Sequence, residues 1–278
     1  MNSPTGKQKP PQSLTEAFTH LVSIVDTLMG DTGCPWDKVQ TRDSLKPYLV
    51  EETYETLEAL DSNNPEKIVD ELGDLLYQIL FHAKIAELQK EFTLTDVIQN
   101  LADKMVRRHP HIFQSAKADT PEKVIHQWEE IKRSEKANRD HKSALDGVPK
   151  ALPGLARAQK LQKKAAKQGF DWDRVEDVCA KLNEELAEFK AAREAGDTGA
   201  TTEEFGDLIF VLVNLARFMK IDAEEALRAT NNKFTRRFHY IESELEKRGK
   251  KLKETSLEEM EKYWQEAKQK APSLDSKR

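Results

Sequence analysis

An all-α protein of two tandem helical bundles is the fold that this chain predicts, and three observations predict it. Val, Ile and Thr never gather into alternating runs bounded by turns, whereas apolar residues recur at helical spacing along most of the chain. One acidic pattern is written twice: Glu51, Glu52 and Glu55 followed by Glu71 and Asp74, then Glu184, Glu185 and Glu188 followed by Glu204 and Asp207. Each position is offset by 133 residues, as from Glu51 to Glu184. A length of 278 residues suffices for two domains of ordinary size, and the duplication gives both the same plan.

The elements follow in order. Helical periodicity predicts a first helix over about 13–29 and a second over 47–60, with a short turn at 61–64. A helix starts at Asn64-Pro65, where proline suits the first helical position, and carries Ile68, Val69, Leu72, Leu75, Leu76, Ile79 and Leu80 on one broad apolar face. Helices at 95–108 and 121–139 complete the first half, with His109 and His111 read as loop residues beside Pro110. The segment 143–153 holds Gly147, Pro149 and Pro153 and is read as the boundary. The second half repeats the plan with helices at 151–167, 176–195, 223–248 and 256–270. Between them a helix starts near Thr201-Thr202, either hydroxyl serving as cap. Domains are expected at 13–142 and 150–271, with 1–12 and 272–278 as disordered tails.

A formal charge of −5 with 33% charged residues gives no general attraction to nucleic acid, so duplex binding is not expected. No apolar stretch approaches the ~18 residues of a membrane span, and Ser, Pro, Lys and Gln in residues 1–12 do not make a signal peptide. The expected location is the cytoplasm. Cys34 and Cys179, without a CxxC, support neither a disulfide framework nor a thiolate zinc site.

Carboxylates three and four residues apart share a helix face, so each cluster gathers charge that would destabilise a bare helix. A hard divalent cation such as Mg²⁺ takes oxygen ligands and keeps positions open for water or phosphate. Four acids on two facing helices suit one or two such ions, and paired ions stabilise both oxygens of an in-line phosphoryl displacement. The fifth acid, Glu184 or Glu51, is then free to orient water or accept its proton. Taken singly, a Glu-Glu pair is more often a solvated surface. Five acids per copy keep their spacing here while neighbours differ, as Tyr54 against Ala187, which favours ligation.

Other marks are duplicated too. Lys-x-x-Arg-Arg recurs as Lys104, Arg107, Arg108 and as Lys233, Arg236, Arg237; it suits a polyphosphate, the bland alternative being a basic face paired with nearby Glu. Adjacent arginines point about 100° apart on a helix, so one of Arg236 and Arg237 should matter more. Trp172 and Trp264 are candidates to stack on a base, although tryptophan is more often a core residue. No Glu-x-x-His occurs, which counts against a di-iron bundle.

With these motifs in place the chain resembles the MazG family of nucleoside triphosphate pyrophosphohydrolases, over nearly its whole length from about Leu14 to Ala271. The resemblance rests on Gly33-Cys34-Pro35-Trp36-Asp37, Glu51-Glu52-Thr53-Tyr54-Glu55, Glu71-Leu72-Gly73-Asp74, Arg107-Arg108-His109-Pro110-His111, Gly169-Phe170-Asp171-Trp172 and Glu204-Phe205-Gly206-Asp207. It implies two tandem MazG-like domains of the all-α NTP pyrophosphatase type, a homodimer, and Mg²⁺-dependent hydrolysis of NTPs or dNTPs to monophosphate and pyrophosphate, a nucleotide-pool house-cleaning activity. It also implies that the C-terminal copy is the principal catalyst. On matching positions Glu185, Glu188, Glu204 and Asp207 are expected to bind metal, with Glu184 and Glu185 catalytic. Lys181, Glu184, Glu185, Lys233, Arg236, Arg237 and Trp264 are expected to contact nucleotide.

The second possible site comprises Glu51, Glu52, Glu55, Glu71, Asp74, Lys104 and Arg107. Two departures matter. Where family members often place a lysine before the second E-x-x-D, this chain has Ala200, Thr201 and Thr202, and where the second copy has Lys181 the first has Tyr48. The rival expectation is a helical nucleotide-binding or scaffold module without turnover.

Overall fold

In the computed structural model, which describes residues 13–135 and 142–270, the chain divides between Glu135 and Lys136 into two compact units. Every regular element among the described residues is helical. The first unit comprises α1 (Leu14–Met29), α2 (Pro35–Lys38), α3 (Lys46–Ser62), α4 (Pro65–Leu88), α5 (Leu94–Arg108), α6 (Pro110–Phe113) and α7 (Pro121–Ser134). The second comprises α8 (Gly154–Ala166), α9 (Val175–Ala195), α10 (Thr198–Phe218), α11 (Ala223–Glu246), a 3-10 turn (Leu252–Glu254) and α12 (Leu257–Lys270).

Side-chain caps set most starts. Ser13 accepts from the amide of Glu16, Asn64 from Glu66, and Thr93 with Asp96 closes a reciprocal capping box. The turn after each acidic helix needs a left-handed residue, and the duplicate positions supply one: Asn63 at φ 51° and Gly196 at φ 73°. Both residue types tolerate that conformation. The chain can therefore double back at once, laying α3 along α4 and α9 along α10 as antiparallel pairs.

Three expectations are corrected. The helix expected from Thr201-Thr202 starts at Thr198, because Asp197 caps it through a 3.0 Å bond from Ala200 N; the two threonine hydroxyls bond back to Asp197 O and Thr198 O. The helix expected over 121–139 ends at Ser134, where Glu135 turns extended and reaches two arginines. His109 and His111 flank no simple loop: Pro110 opens the short α6, and His109 Nδ1 lies 2.6 Å from Met105 O.

In the first unit Val25 and Met29 of α1 meet Leu80, Phe81 and Ile85 of α4 and Leu45 before α3. Much of the remaining apolar face of α4 is uncovered: Val69, Leu72 and Ile79 are exposed. In the second unit α8 packs on α10 and α11, and Ile241, Leu245 and Tyr263 join α11 to α12. Phe81, fully buried, should be the costliest truncation. We expect Phe81→Ala to lose about 3–5 kcal/mol of stability, read by urea denaturation, and Phe113→Ala, at an exposed position, to lose far less.

Candidate functional site

Two antiparallel helices joined by a tight turn bring acids from separate stretches of chain together. In the second unit Glu185 and Glu188, one turn apart on α9, face Glu204 of α10, and a carboxylate oxygen from each lies within 4.8 Å of the others. Glu185 is buried, only 6% exposed. Its charge is met by Lys181 one turn earlier, whose Nζ lies 2.8 Å from Glu185 Oε1 and 2.6 Å from Glu184 Oε1. These two bonds, to Glu184 first, hold the lysine well above its ordinary pKa. Glu204 is pushed up, first by lost solvent and then by Glu188, Glu185 and Asp207. A cluster in that condition gains from a cation, and its hard oxygen donors fit a divalent ion.

Asp207, expected among the metal ligands, stands outside this three-oxygen group; with Lys181 and Glu185 it borders a cavity of about 610 Å³. Phe170, Trp172, Phe210 and Val211 make the cavity largely apolar, and Gln162, Asn214 and Arg217 bring polar atoms to its wall. Arg217 clasps Asp171 with both terminal nitrogens, which fixes the loop carrying Trp172 and holds the Asp171 carboxyl below its usual range. Glu184 is exposed beside Lys181, and Lys233, Arg236, Arg237 and Trp264 are not among the cavity's residues. They lie on α11 and α12, with the Arg237 guanidinium 5.4 Å from the Trp264 ring centre and Arg236 in solvent.

The first unit assembles the same acids differently. Glu52, Glu55 and Glu71 form its three-carboxylate group, with Glu51 and Asp74 outside it and exposed. Glu52 is pushed up by burial first, then by Asp74 and Glu55, while Gln78 hydrogen-bonds it. The basic motif took its bland alternative. Glu135, 13% exposed, accepts from Arg107 at 2.9 Å and from Arg108 at 2.5 Å, and these bonds, Arg108's first, bring its pKa down to about 2.

Gln162, Asn214, Arg217 and Glu135 escaped sequence reasoning. Nothing local marks Glu135. The other three were readable only by comparing copies position by position beyond the acids.

A family model described as the MazG nucleotide pyrophosphohydrolase domain matches residues 40–113 and again 174–241. The chain is 45% identical over 251 residues to the nucleoside triphosphate pyrophosphohydrolase/pyrophosphatase MazG of Thermotoga maritima, covering 90% of this chain and 95% of that one. It is 42% identical over 251 residues to the nucleoside triphosphate pyrophosphohydrolase of Escherichia coli K12, covering 89% and 95%. It is also 48% identical over 257 residues to the uncharacterized protein YabN of Bacillus subtilis, covering 92% of this chain and 52% of that one.

The Glu135 clasp gives a pH test. A carboxylate whose folded pKa is depressed to about 2 contributes stability above its ordinary value of 4.5 and loses it as pH falls through that interval. We expect Glu135→Gln to destabilise the first unit by about 1.5–3 kcal/mol at neutral pH, and the difference from wild type to shrink as the pH of melting is lowered from about 5 toward 2.

Proposed function

Because the chain belongs to the MazG family and is a nucleoside triphosphate pyrophosphohydrolase, we propose that its second unit carries the reaction, with Mg²⁺ on Glu185, Glu188, Glu204 and Asp207. The reaction hydrolyses a nucleoside triphosphate to the monophosphate and pyrophosphate. Water adds across the α–β anhydride, its oxygen joining one phosphorus while the bridging oxygen leaves with the other. One observation carries the assignment to the second unit: Glu185 belongs to the three-carboxylate group and, with Asp207, stands on the wall of a cavity of about 610 Å³. Sanitising the nucleotide pool, in the cytoplasm, is the role we propose. Among the described residues no helix is long and apolar enough to cross a membrane.

When bound, Mg²⁺ would neutralise phosphate charge and withdraw electrons from the anhydride. The chain's own groups do the rest. Glu185, Glu188 and Glu204 converge to hold the ion, and Asp207 extends the set toward the cavity. Lys181 neutralises Glu184 and Glu185 before substrate arrives; with phosphate present it turns to the incoming anion. Glu184, released on the solvent side, then orients the attacking water and takes its proton. Phe170, Trp172 and Phe210, exposed in the single chain, give the cavity an apolar wall.

A homodimer completes this site in our reading. Leu186, Phe205 and Leu212, on the two helices that carry the acids, are exposed in the single chain. The partner's α11 and α12 would bring Lys233, Arg237 and Trp264 to the phosphates and nucleotide, Arg237 being the arginine already ordered on tryptophan. The first unit, with Tyr48 in place of Lys181 and Glu135 on its arginines, retains a metal-type cluster and a structural role.

Excess EDTA should abolish turnover, and ATP should yield AMP and pyrophosphate as first products; ADP with orthophosphate would place the cleavage elsewhere. Glu185→Ala and Asp207→Ala should each lower kcat by at least about 100-fold, while Glu52→Ala and Asp74→Ala, verified as folded, should leave most of it. Light scattering should return twice the 31.8 kDa chain mass, and a fully active monomer would remove the shared site.

A further inference from the structure

The two copies present the same cations and part at the residue that answers them. Each places Lys-x-x-Arg-Arg on one helix and a tryptophan on another: the Arg108 guanidinium lies 5.9 Å from the Trp128 ring centre, as that of Arg237 lies 5.4 Å from Trp264. The tryptophan helices are in register. Each starts from a hydroxyl cap eight residues before its tryptophan, Thr120 accepting from Lys123 N and Ser256 from Glu259 N. Seven residues after the tryptophan the first copy has Glu135 and the second has Ala271. The Nε of Arg108 donates to Glu135, whereas the Nε of Arg237 is buried without a partner.

Glu135 answers two arginines with a single carboxylate. Arg107 donates Nε at 3.3 Å and Nη2 at 2.9 Å, and Arg108 donates Nε at 3.0 Å, all to Oε1; only Arg108 Nη2, at 2.5 Å, meets Oε2. A terminal phosphate offers three acceptor oxygens and about two negative charges to the same donors. Lys104 precedes both arginines by one helical turn and has no ion-pair partner among the described residues. The cluster therefore holds more positive charge than its own acid neutralises. Glu135 is also detachable. It follows Ser134, the last residue of α7, in extended backbone at φ −66° and ψ 144°, so its side chain can leave without unwinding the helix. The Arg107 side chain, 51% exposed, opens the cluster to solvent.

Resting on the reading of Lys233 and Arg237 as the second unit's phosphate contacts, we propose that Lys104, Arg107 and Arg108 form a further polyphosphate site, which the chain closes with its own Glu135. The ligand is a di- or triphosphate, recognised through its phosphates. Glu135 is the tethered competitor that this ligand displaces, present at an effective concentration on the order of millimolar. A polyphosphate thus binds the intact chain with an affinity lowered by the fraction of time that the arginines are free.

The test uses the full chain carrying Lys233→Ala and Arg237→Ala, which silence the second unit's motif, titrated calorimetrically with pyrophosphate in EDTA. Replacing Glu135 by Gln, or by Ala as in the second copy, should tighten binding by about tenfold or more, and ATP should gain alike. Adding Arg107→Ala and Arg108→Ala should remove the gain. Three results would each overturn the proposal: no gain in the folded Glu135 variants, a gain that survives loss of both arginines, or a gain for ATP without one for pyrophosphate. The unmutated protein supplies a second readout if the variants unfold. A glutamyl endopeptidase should cut after Glu135 several-fold faster once pyrophosphate reaches about 10 mM, above the effective concentration of the tether; an unchanged rate would also overturn the proposal. Failure of the underlying reading shows separately. Unchanged ATP hydrolysis in the Lys233→Ala, Arg237→Ala chain would sink the second unit's phosphate grip, and the first unit's site would still stand or fall on Glu135.

Discussion

Carboxylates crowded within 4.8 Å of one another repel, and a cation relieves that repulsion; the second unit is arranged around this constraint. The acids can be brought so close only because a left-handed residue after α9 lets α10 return at once along it. Lys181, one helical turn before Glu185, lies within salt-bridge distance of two of the acids on α9. The lysine is thus a resident counter-ion that an incoming metal can replace. In the proposed reaction its displacement would free a positive charge on the cavity wall for the polyphosphate.

The same scaffold carries two interiors. Where α1 supplies Met29 and α4 supplies Phe81, helix packing closes into an ordinary core; where α8 and α10 supply Ala165 and Asn214, it leaves room for a ligand. The difference costs stability in the second unit, since empty apolar space and the unpartnered Gln162 oxygen both oppose folding. The basic motifs keep one feature and differ in another. Arg108 and Arg237 each lie over a tryptophan, Trp128 and Trp264, and Arg107 and Arg108 are in addition neutralised by Glu135.

The helical class and the two acidic pairs were legible because periodicity and the repeated spacing are local signals. Thr201 and Thr202 misled for a local reason too: threonine hydroxyls bond backward inside a helix as readily as they cap it, and Asp197 was the stronger cap. The Asp171–Arg217 clasp joins residues 46 apart, and the Glu135 clasp joins residues 27 and 28 apart. No spacing rule reaches that far. The cavity was written in Met29 against Ala165 and Phe81 against Asn214, but apolar-to-small substitutions carry no meaning until the packing around them is known.

The most direct measurement is a crystal structure of the full chain with Mn²⁺ and a nonhydrolysable ATP analogue, the metal located by anomalous scattering. The account predicts metal on Glu185, Glu188, Glu204 and Asp207, with the triphosphate beside Lys181 and the nucleotide in the second unit. Metal and nucleotide bound only at Glu52, Glu55 and Glu71, with the second unit's cavity empty, would contradict it.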